Sequence, residues 1–371
     1  MPDRDGRLNV AIVGLGFGAE FIPIYQHHPN TNMYAICQRT QTSLDAIGDQ
    51  FGIDKRYTEL SALLADDRVD AVHINSPIPL HADQTIAALN AGKHVACTVP
   101  AATSVDELHQ IVGAARRSKR NYMMMETSVY AREFLYLRQL RDRGELGRIQ
   151  FLRGSHHQDM SAWPGYWRGL PPMHYATHCI GPCLALAGRK AASVYCLGSG
   201  HLPDDLVSQY GSPFAVETAL IRLEGSDLTC EVSRSLYETA REYIESFDVY
   251  GSKRSFEWNR LAADRPVVFT GETAERIEVP DFASLLPEPV RQFTRHGVYG
   301  EQAQHLSFLQ GSGHGGSHPH LVHEFVSSIV EGRQPFPNAE EAANWTATGL
   351  CAHSSAMANG SVMPLPMFSG D

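Results

Sequence analysis

Two hydrophobic patterns divide this chain. In the first third, short runs of consecutive apolar residues alternate with stretches of helical period, which is typical of buried parallel strands joined by helices. From Ala192 onward apolar and polar residues alternate instead, as in strands that bury one face. The first pattern predicts strands beginning at Asn9 and at residues 33–37, 71–75 and 92–97, and the second predicts strands at residues 193–198, 216–223, 228–235, 245–250 and 255–258.

These elements predict an α/β protein with two domains. We expect residues 1–127 to form an N-terminal domain around a parallel sheet, and residues 128–371 to form a C-terminal α/β domain with a large, mostly antiparallel sheet. A sheet of this size needs its second face covered by helices or by another subunit, so we expect a homo-oligomer, a dimer or a tetramer. The remaining predicted elements are a helix at 131–143, a strand at 149–156, a helix ending near 186, and helices at 320–331 and 339–359.

The first predicted strand runs directly into a glycine turn with the pattern Gly-x-Gly-x-x-Ala. Gly14 permits a tight turn, Gly16 lets backbone N–H groups approach a phosphate, and Ala19 keeps the next helix close to the strand. A nucleotide pyrophosphate fits such a turn, so residues 1–127 are expected to form a Rossmann dinucleotide-binding domain, and the expected cofactor is NAD or NADP. The turn residues assigned to cofactor binding are Gly14, Gly16, Phe17, Gly18 and Ala19.

The end of the second strand bears on the choice between the two cofactors. An acidic residue there would bind the ribose diol of NAD, but the chain has Gln38 followed by Arg39. Arg39 is suited to the 2′-phosphate of NADP, although it can equally be solvated or lie over the adenine. The residues favour NADP slightly.

The third and fourth predicted strands end in polar residues and prolines. In an open parallel sheet the carboxyl ends of strands line the ligand crevice, so these residues are candidates for the nicotinamide side of the site. The alternative is that the prolines only terminate strands. The candidates are Ser76, Pro77, His81, Thr98 and Pro100.

Charge and cysteine content narrow the function classes. The 371 residues carry 41 acidic and 31 basic side chains, a net charge of −10, which gives no basic surface for nucleic acid or anionic membranes. The first residues lack a signal-peptide core and no apolar run of membrane-spanning length is present, so a cytoplasmic location is expected. Seven scattered cysteines without a Cys-x-x-Cys pair predict reduced, mostly buried thiols. A small-molecule substrate is the favoured partner.

Three motifs in order, Gly14-x-Gly16-x-x-Ala19, Ser76-Pro77-x-x-x-His81 and Gly92-Lys93-His94 before Pro100, resemble the Gfo/Idh/MocA oxidoreductase superfamily. The resemblance covers the whole chain and implies NAD(P)-dependent oxidation of a hydroxyl on a sugar, glycoside or polyol. The family pattern after the fourth strand is Glu-Lys-Pro, whose lysine supports the substrate hydroxyl. This chain has Thr98-Val99-Pro100 instead, so the lysine is absent.

One branch of the superfamily lacks the same lysine: the NAD-dependent α-N-acetylgalactosaminidases, which oxidise, eliminate, add water and reduce again on one bound cofactor. The chain is similar to that branch at Val99-Pro100-Ala101-Ala102, Met123-Met124-Met125-Glu126, Tyr175-x-Thr177-His178 and His314-Gly315-Gly316. This resemblance implies a cofactor role for Glu126 and a substrate role for Tyr130 and His314.

The candidate catalytic residues are His178, Tyr175 and His174. If one helix carries both histidines, their spacing of four places them on one face. Three interpretations compete: a metal site completed by His156, His157, Asp159 or a late histidine, a core histidine, and an acid/base. In the superfamily a histidine at the place of His178 takes the hydroxyl proton, and imidazole titrates near neutral pH. We expect catalysis here and no metal.

Two loops add candidate substrate contacts. Trp163 and Trp167 lie in a proline- and glycine-rich loop and can stack on a sugar ring, or equally fill the joint between domains. Residues 281–317 have little periodicity and either close over the cleft as a lid that carries His314 or form a surface linker. The nearby His318, His320 and His323 indicate a helix N-terminus and its exposed side.

The favoured function is therefore an NAD(P)-dependent sugar or polyol oxidoreductase with His178 as acid/base. A first alternative is a redox-assisted glycoside hydrolase or lyase that recycles bound NAD. A second is a non-catalytic nucleotide and sugar sensor. Loss of the lysine is compatible with a sensor, whereas retention of Tyr175 and His178 is not expected of a pure binder.

Overall fold

The computed structural model describes residues 6–161, 163–295 and 312–368. Two compact units are formed, Met1–Tyr130 with Asp281–Ala343 and Ala131–Pro280 with Asn344–Asp371. The strands are β1 Leu8–Val13, β2 Thr31–Cys37, β3 Lys55–Tyr57, β4 Ala71–Ile74, β5 His94–Cys97, β6 Tyr122–Met124, β7 Ile149–His157, β8 Ala191–Ser199, β9 Val216–Leu223, β10 Thr229–Ser235, β11 Ile244–Gly251, β12 Arg254–Glu257, β13 Val267–Thr270, β14 Thr273–Arg276 and β15 Met363–Pro364. The helices are α1 Leu15–Gly18, α2 Ile22–His27, α3 Gln41–Phe51, α4 Leu60–Leu64, α5 His81–Asn90, α6 Val105–Ser118, α7 Arg132–Asp142, α8 Thr177–Ala187, α9 Asp204–Tyr210, α10 Ser312–Gly316, α11 His318–Val330 and α12 Ala339–Met357.

The sheet of the first unit is parallel, with the strand order β3-β2-β1-β4-β5-β6. Its register brings the carboxyl ends of neighbouring strands together: Val13 lies beside both Cys37 and Ile74, and Ile74 lies beside Cys97. The strands are buried apolar runs, which is why their positions are readable from the sequence. The residues that follow them therefore share one edge, where ligands bind in open α/β sheets.

Lys93 has a structural role in this unit. The side chain is 6% exposed, and its Nζ donates to the backbone oxygens of Asp66 at 2.9 Å and Val69 at 2.8 Å. These bonds hold the turn before β4 against the turn before β5. The Gly92-Lys93-His94 motif is thus explained by packing of the fold.

The late segment Asp281–Ala343 groups with the first unit, so the division differs from the predicted boundaries of 1–127 and 128–371. The contacts that join this late segment to the first unit lie at the last strand of the parallel sheet. Asn121 Nδ2 donates to Ser328 Oγ at 2.9 Å, and Met124 N donates to the Pro337 oxygen at 3.2 Å. The backbone of edge strand β6 needs hydrogen-bond partners, and Pro337, much later in the chain, supplies one of them.

The second unit contains a sheet in the order β14-β13-β12-β11-β7-β10-β9-β8-β15, in which only the β7–β10 pair is parallel among the described strands. The predicted hairpin between β9 and β10 is confirmed by their antiparallel pairing. Strands β13 and β14 were not predicted, because they are four residues long and β14 is exposed throughout. Without a buried face there is no alternation to detect.

Helix α8 packs unusually close to this sheet. A Cβ at Gly154 of β7 would lie 2.1 Å from the backbone oxygen of Cys179 in α8, far below any real contact. Only glycine permits this approach. The close approach brings the side chains of α8 within reach of those on β7 and its neighbours.

The cysteines are mostly buried, as predicted. All seven cysteines are free thiols, six of them buried and Cys351 partly exposed. Among the described residues, no helix is both long and apolar enough to cross a membrane.

Candidate active site

The glycine turn of the first unit is shaped by close backbone contacts. Gly14 has φ +83°, and a Cβ there would lie 2.6 Å from the Asn75 oxygen, so glycine is required on both counts. A Cβ at Gly18 would lie 2.8 Å from Ile12 Cγ2. The turn is tied to β2 because Leu15 N donates to Gln38 Oε1 at 3.2 Å.

Gly16 is different, because no described atom lies within 4 Å of a Cβ built there. The residue is exposed and its backbone is not in the left-handed region. Nothing in the described protein therefore requires glycine at this position, whereas a closely approaching phosphate would. Beside the turn, Asn75 Oδ1 is buried without a hydrogen-bond partner in the described chain. The residues present fit a dinucleotide.

Gly16 provides a test of this fit that is separate from folding. Gly16→Ala is expected to leave Tm within about 2 °C, because the added methyl meets no protein atom. It is expected to weaken NADH binding at least tenfold, because the methyl occupies the space where a phosphate approaches. Tm and the Kd from NADH fluorescence are the measurements. An unchanged Kd would contradict the assignment.

His81 lies between the two strand ends rather than open to a ligand. It is 1% exposed, with Nδ1 2.8 Å from the Pro100 oxygen and Nε2 2.7 Å from the Ser76 oxygen. Burial lowers the pKa of His81, and these backbone contacts oppose the shift. His81 therefore holds the segments that carry Ser76, Pro77, Thr98 and Pro100 in fixed positions.

The other predicted cofactor residues occupy varied environments. Arg39 is exposed at the end of β2. Glu126 is fully buried, and its Oε1 accepts from Ser128 N at 3.0 Å and Ser128 Oγ at 2.8 Å. The carboxylate of Glu126 thus caps the turn after β6, which is a positioning role.

The second unit contains a row of polar side chains across four neighbouring strands. Glu245 pairs with His156, His156 with Arg234, and Arg234 with Glu217 in the strand register. His156, Arg234 and Glu217 have no exposed surface, and the Glu245 side chain is 11% exposed. Burying charged side chains costs folding free energy unless every charge is compensated. A buried row of this kind therefore indicates a functional site.

His178 reaches this row from helix α8. The side chain is buried, and its Nε2 lies 3.3 Å from the Tyr175 hydroxyl and 3.7 Å from Glu245 Oε1. The His156 ring lies 5.1 Å away, edge to face. The Tyr243 hydroxyl donates to Glu245 Oε1. The structure thus brings Tyr175 and His178 together, as expected of catalytic residues.

Arg234 is a fully buried cation, and each of its three side-chain nitrogens donates to an oxygen of the surrounding framework. Nε donates to the Tyr175 oxygen at 2.8 Å, and one terminal nitrogen donates to the oxygens of His156 at 3.0 Å and Ser235 at 2.7 Å. The other terminal nitrogen donates to Gln158 Oε1 at 3.1 Å. Burial lowers the pKa of Arg234 to about 10, so the guanidinium keeps its charge near neutral pH.

His174 does not share a helix with His178, which corrects that part of the prediction. The chain forms a 3₁₀ turn at Pro172–Tyr175, and helix α8 begins at Thr177. The His174 ring packs 4.9 Å from His353, and burial, with the charge on His353, lowers the pKa of His174 to about 3. The break falls at Ala176, whose backbone (φ −111°, ψ 6°) is not helical.

The aromatic loop supplies one wall of the cluster. Trp167 is 6% exposed and packs edge-on against Tyr175 at 4.8 Å, while Trp163 is 38% exposed and packs on Trp167. Tyr130, in the other unit, is buried and its hydroxyl donates to the Phe336 oxygen at 2.7 Å. A substrate role for these three residues stays a prediction.

The donor atoms of His156, His178 and Glu245 lie within 4.8 Å of one another, close enough for a metal ion. Two of them already contact hydroxyl groups, those of Tyr175 and Tyr243. Arg234 lies on the strand next to that of His156, and its positive charge repels a metal cation at this position. The geometry favours a proton-transfer network. His157, considered as a metal ligand from the sequence, alternates to the other face and contacts Ser235 Oγ at 2.8 Å.

Comparison with protein families settles the relationship of the chain. Residues 8–126 match the oxidoreductase family with an NAD-binding Rossmann fold, and residues 134–257 match the C-terminal domain of the same family. The chain belongs to the Gfo/Idh/MocA family. This match confirms the predicted fold class, with its N-terminal Rossmann domain, and the expected nicotinamide cofactor.

Several curated proteins are similar to this chain. An uncharacterised oxidoreductase of Synechocystis is 28% identical over 68% of this chain and 71% of its own length. A glycosyl hydrolase family 109 protein of Saccharopolyspora erythraea is 24% identical over 98% of this chain and 83% of its own. Glycosyl hydrolase family 109 protein 1 of Bacteroides thetaiotaomicron is 28% identical over 47% of this chain and 42% of its own length.

Solved structures share the fold. Levoglucosan dehydrogenase in complex with NADH and levoglucosan has a TM-score of 0.81 at 21% identity, covering 97% of this chain and 100% of that one. An Agrobacterium radiobacter oxidoreductase in complex with NAD⁺, L-tartaric acid and magnesium has a TM-score of 0.78 at 17% identity, covering 96% and 98%. At 17% and 21% sequence identity, these similarities show that the fold is shared and nothing beyond the fold.

Sequence reasoning missed Glu245, Arg234 and Glu217 as site residues, although a signal was present. Each lies on the buried, apolar face of a strand in which apolar and polar residues alternate. Arg234 shares that face with Cys230 and Val232, and Glu217 shares it with Ala219 and Ile221. A charged residue in that phase is either an error of register or a buried charge with a function. That criterion would have identified all three.

Proposed function

We propose that this protein is an NAD-dependent oxidoreductase acting on a hydroxyl group of a sugar, glycoside or polyol, with His178 as acid/base. The observation that carries the proposal is the position of His178 Nε2, buried and 3.3 Å from the Tyr175 hydroxyl and 3.7 Å from Glu245 Oε1. An imidazole between a hydroxyl group and a carboxylate is suited to taking up and returning a proton.

The cofactor would be held by the glycine turn, Gly14 to Ala19, and by residues at the ends of β2, β4 and β5. When bound, NAD supplies a hydride acceptor for a hydroxyl-bearing carbon. His178 takes the hydroxyl proton, and the Glu245 carboxylate stabilises the imidazolium that results. Tyr175 relays that proton or holds the substrate oxygen through its hydroxyl.

Arg234 is our candidate for part of the missing lysine's electrostatic role. Its guanidinium carbon lies 5.4 Å from the centre of the Tyr175 ring. A permanent buried cation there stabilises negative charge that develops on the substrate oxygen or on Tyr175. Because its donors are used by the framework, Arg234 acts through its field and through the position of Tyr175 rather than by touching substrate.

A redox-assisted glycoside hydrolase or lyase is the second candidate. Val99-Pro100-Ala101-Ala102 replaces the lysine-containing segment, and the Saccharopolyspora relative aligns over 98% of the chain. Oxidation of a ring carbon acidifies the neighbouring C–H, so the proton chemistry of His178 and Tyr175 can also start an elimination.

One assay separates the two candidates. The purified protein is incubated with NAD or NADP and a panel of sugars, polyols and aryl glycosides, while reduced cofactor and released aglycone are followed together. Accumulation of NADH or NADPH without aglycone supports the oxidoreductase. Aglycone release without net reduction supports the hydrolytic cycle. Binding of sugar and cofactor without any turnover supports the sensor.

Arg39 tests the choice of cofactor. Because the residue is exposed at the end of β2, Arg39→Ala is expected to leave the fold intact and to raise the Kd of NADPH about tenfold more than that of NADH. Fluorescence titration with NADH and NADPH measures both constants. Equal changes would show that Arg39 does not bind a 2′-phosphate.

We also propose that the chain forms a homo-oligomer, a dimer or a tetramer, and that it acts in the cytoplasm. Large apolar side chains are exposed on strands of the second sheet, namely Tyr195, Leu197 and Leu220. An exposed apolar patch of this kind is typical of a subunit interface. Seven free thiols are typical of a protein in a reducing compartment. Sedimentation equilibrium checks the subunit number.

A further inference from the structure

The turn that carries Tyr175 is held at both ends by buried charged residues. Met173 N donates to Glu217 Oε2 at 2.8 Å. Arg234 Nε donates to the Tyr175 oxygen at 2.8 Å. Glu217 and Arg234 face each other in the register of β9 and β10, and neither has exposed surface. Two neighbouring side chains of opposite charge thus fix one short segment, residues 173–175.

Helix α12 packs against the same turn. A Cβ at Gly349 would lie 2.2 Å from the Met173 oxygen, so only glycine permits the helix to come this close. His353 is four residues further along α12 and therefore on the same face of the helix. Its Nδ1 lies 2.7 Å from Glu217 Oε1, within hydrogen-bond distance. The Glu217 carboxylate thus joins the helix to the turn.

Both oxygens of Glu217 are engaged, and this determines where the proton lies. Oε2 accepts the Met173 amide hydrogen, and Oε1 faces His353 Nδ1. An ionised carboxylate only accepts hydrogen bonds, so His353 Nδ1 carries a proton and donates it to Oε1. This bond keeps the buried carboxylate paired, whereas an unpaired buried charge would be costly.

Histidine pairs in the first unit are of a different kind, because each joins two imidazoles. His314 Nδ1 lies 3.2 Å from His318 Nε2, and His28 Nε2 lies 3.1 Å from His323 Nδ1. His318 is 2% exposed, which corrects the expectation that the histidines after residue 317 face solvent. A substrate role for His314 stays a prediction. By contrast, His353 contacts a carboxylate that also holds the active-site turn.

We propose that Glu217 and His353 are positioning residues that keep the Tyr175 hydroxyl within hydrogen-bond distance of His178. The proposal rests on the proposed function, because it gives a catalytic consequence to the Tyr175–His178 contact at 3.3 Å. Tyr175 lies two residues after Met173, so a shift of the Met173 amide moves Tyr175 with it. A misplacement of about 1 Å can cost on the order of 10²-fold in rate.

The first experiment measures the turn without any substrate. Amide hydrogen exchange of the full-length protein is followed by mass spectrometry in a peptide that covers residues 170–178. Glu217→Met removes the acceptor of the Met173 amide and is expected to speed exchange in this peptide at least tenfold. Glu217→Gln keeps an acceptor oxygen and is expected to stay within threefold of the parent. Unchanged exchange in Glu217→Met would overturn the proposal.

A double-mutant cycle tests whether Glu217 acts through Tyr175. Glu217→Met is expected to lower kcat at least 20-fold in the parent but less than threefold in Tyr175→Phe, which has no hydroxyl group left to position. The NADH Kd should stay within twofold, because these residues lie in the second unit. Equal losses of kcat in the two backgrounds would indicate a merely structural role and overturn the proposal.

Glu231→Met is the matched control for Glu217→Met. Glu231 lies on the neighbouring strand β10, where its side chain is 31% exposed and contacts Arg153. Both kcat and exchange at residues 170–178 are expected to stay within twofold of the parent. Changes as large as those of Glu217→Met would show that the loss of any carboxylate from this sheet disturbs the turn, which contradicts the proposal.

His353 tests the second half of the proposal, and also serves if Glu217→Met fails to fold. His353→Asn keeps a donor near the position of Nδ1 and is expected to retain kcat within threefold. His353→Leu leaves Glu217 unpaired and is expected to match Glu217→Met in kcat and exchange. Equal results for the two His353 variants would overturn its role. If no substrate of the panel is turned over, the proposed function fails, and hydrogen exchange alone then decides whether these residues fix the turn.

Discussion

Replacement of His178 by glutamine is expected to lower kcat by 10²–10⁴-fold, the usual contribution of a positioned acid/base. The NADH Kd should stay within twofold, because His178 and its described contacts lie in the second unit. Glutamine keeps a polar side chain beside Tyr175 and Glu245 but cannot exchange a proton near neutral pH. Steady-state kinetics on the substrate found by the panel, with cofactor titration, measure both quantities.

His174→Gln is the matched control for this prediction. His174 is a buried histidine four residues away, but it packs on His353 and lies in the preceding turn. We expect a smaller loss of kcat, less than about tenfold, with some loss of stability. Equal losses in the two variants, or survival of turnover in His178→Gln, would contradict the assignment of the acid/base.

Arg234→Met is expected to destabilise the protein by at least about 3 kcal/mol and to abolish turnover. The substitution removes every donor that reaches the oxygens of Tyr175, His156, Ser235 and Gln158, and these acceptors stay buried. It also removes the positive charge beside Tyr175. Urea unfolding with a parallel activity assay measures the two effects.

The control for Arg234 is Arg153→Met, an arginine on the neighbouring strand with its side chain 38% exposed. Its contact with Glu231 spans 3.4 Å and is partly solvated, so its removal should change the free energy of unfolding by less than about 1 kcal/mol. Arg234→Lys should be intermediate, since one ammonium group cannot reach four acceptors in different directions. A neutral result for Arg234→Met would overturn the role of the buried cation.

Most of the first unit could be predicted from the sequence because its signals are local. Its strands are apolar runs, the glycine turn has a fixed pattern, and proline and glycine mark the ends of elements. What the sequence could not supply were partners far along the chain. Asn121 meets Ser328, so residues 281–343 complete this unit although 150 residues intervene.

The site of the second unit was predictable only in part. Tyr175 and His178 lie in one short motif, and the structure brings their side chains to 3.3 Å. Glu245 and Arg234 join them through strand register, which no local pattern encodes. The His174 prediction assumed a continuous helix, whereas the non-helical backbone of Ala176 separates a 3₁₀ turn from the helix. Three-dimensional pairing, rather than residue chemistry, was the missing information.

The return of the chain to the first unit sets the order in which the protein can be completed during translation. When Tyr130 leaves the ribosome, Asn121 and β6 have been made, but their partners Ser328 and Pro337 have not. The edge of the nascent nucleotide-binding unit therefore lacks these partners until about two hundred further residues are synthesised. A gene fragment that stops at residue 127 would therefore encode an aggregation-prone polypeptide rather than a minimal NAD-binding module.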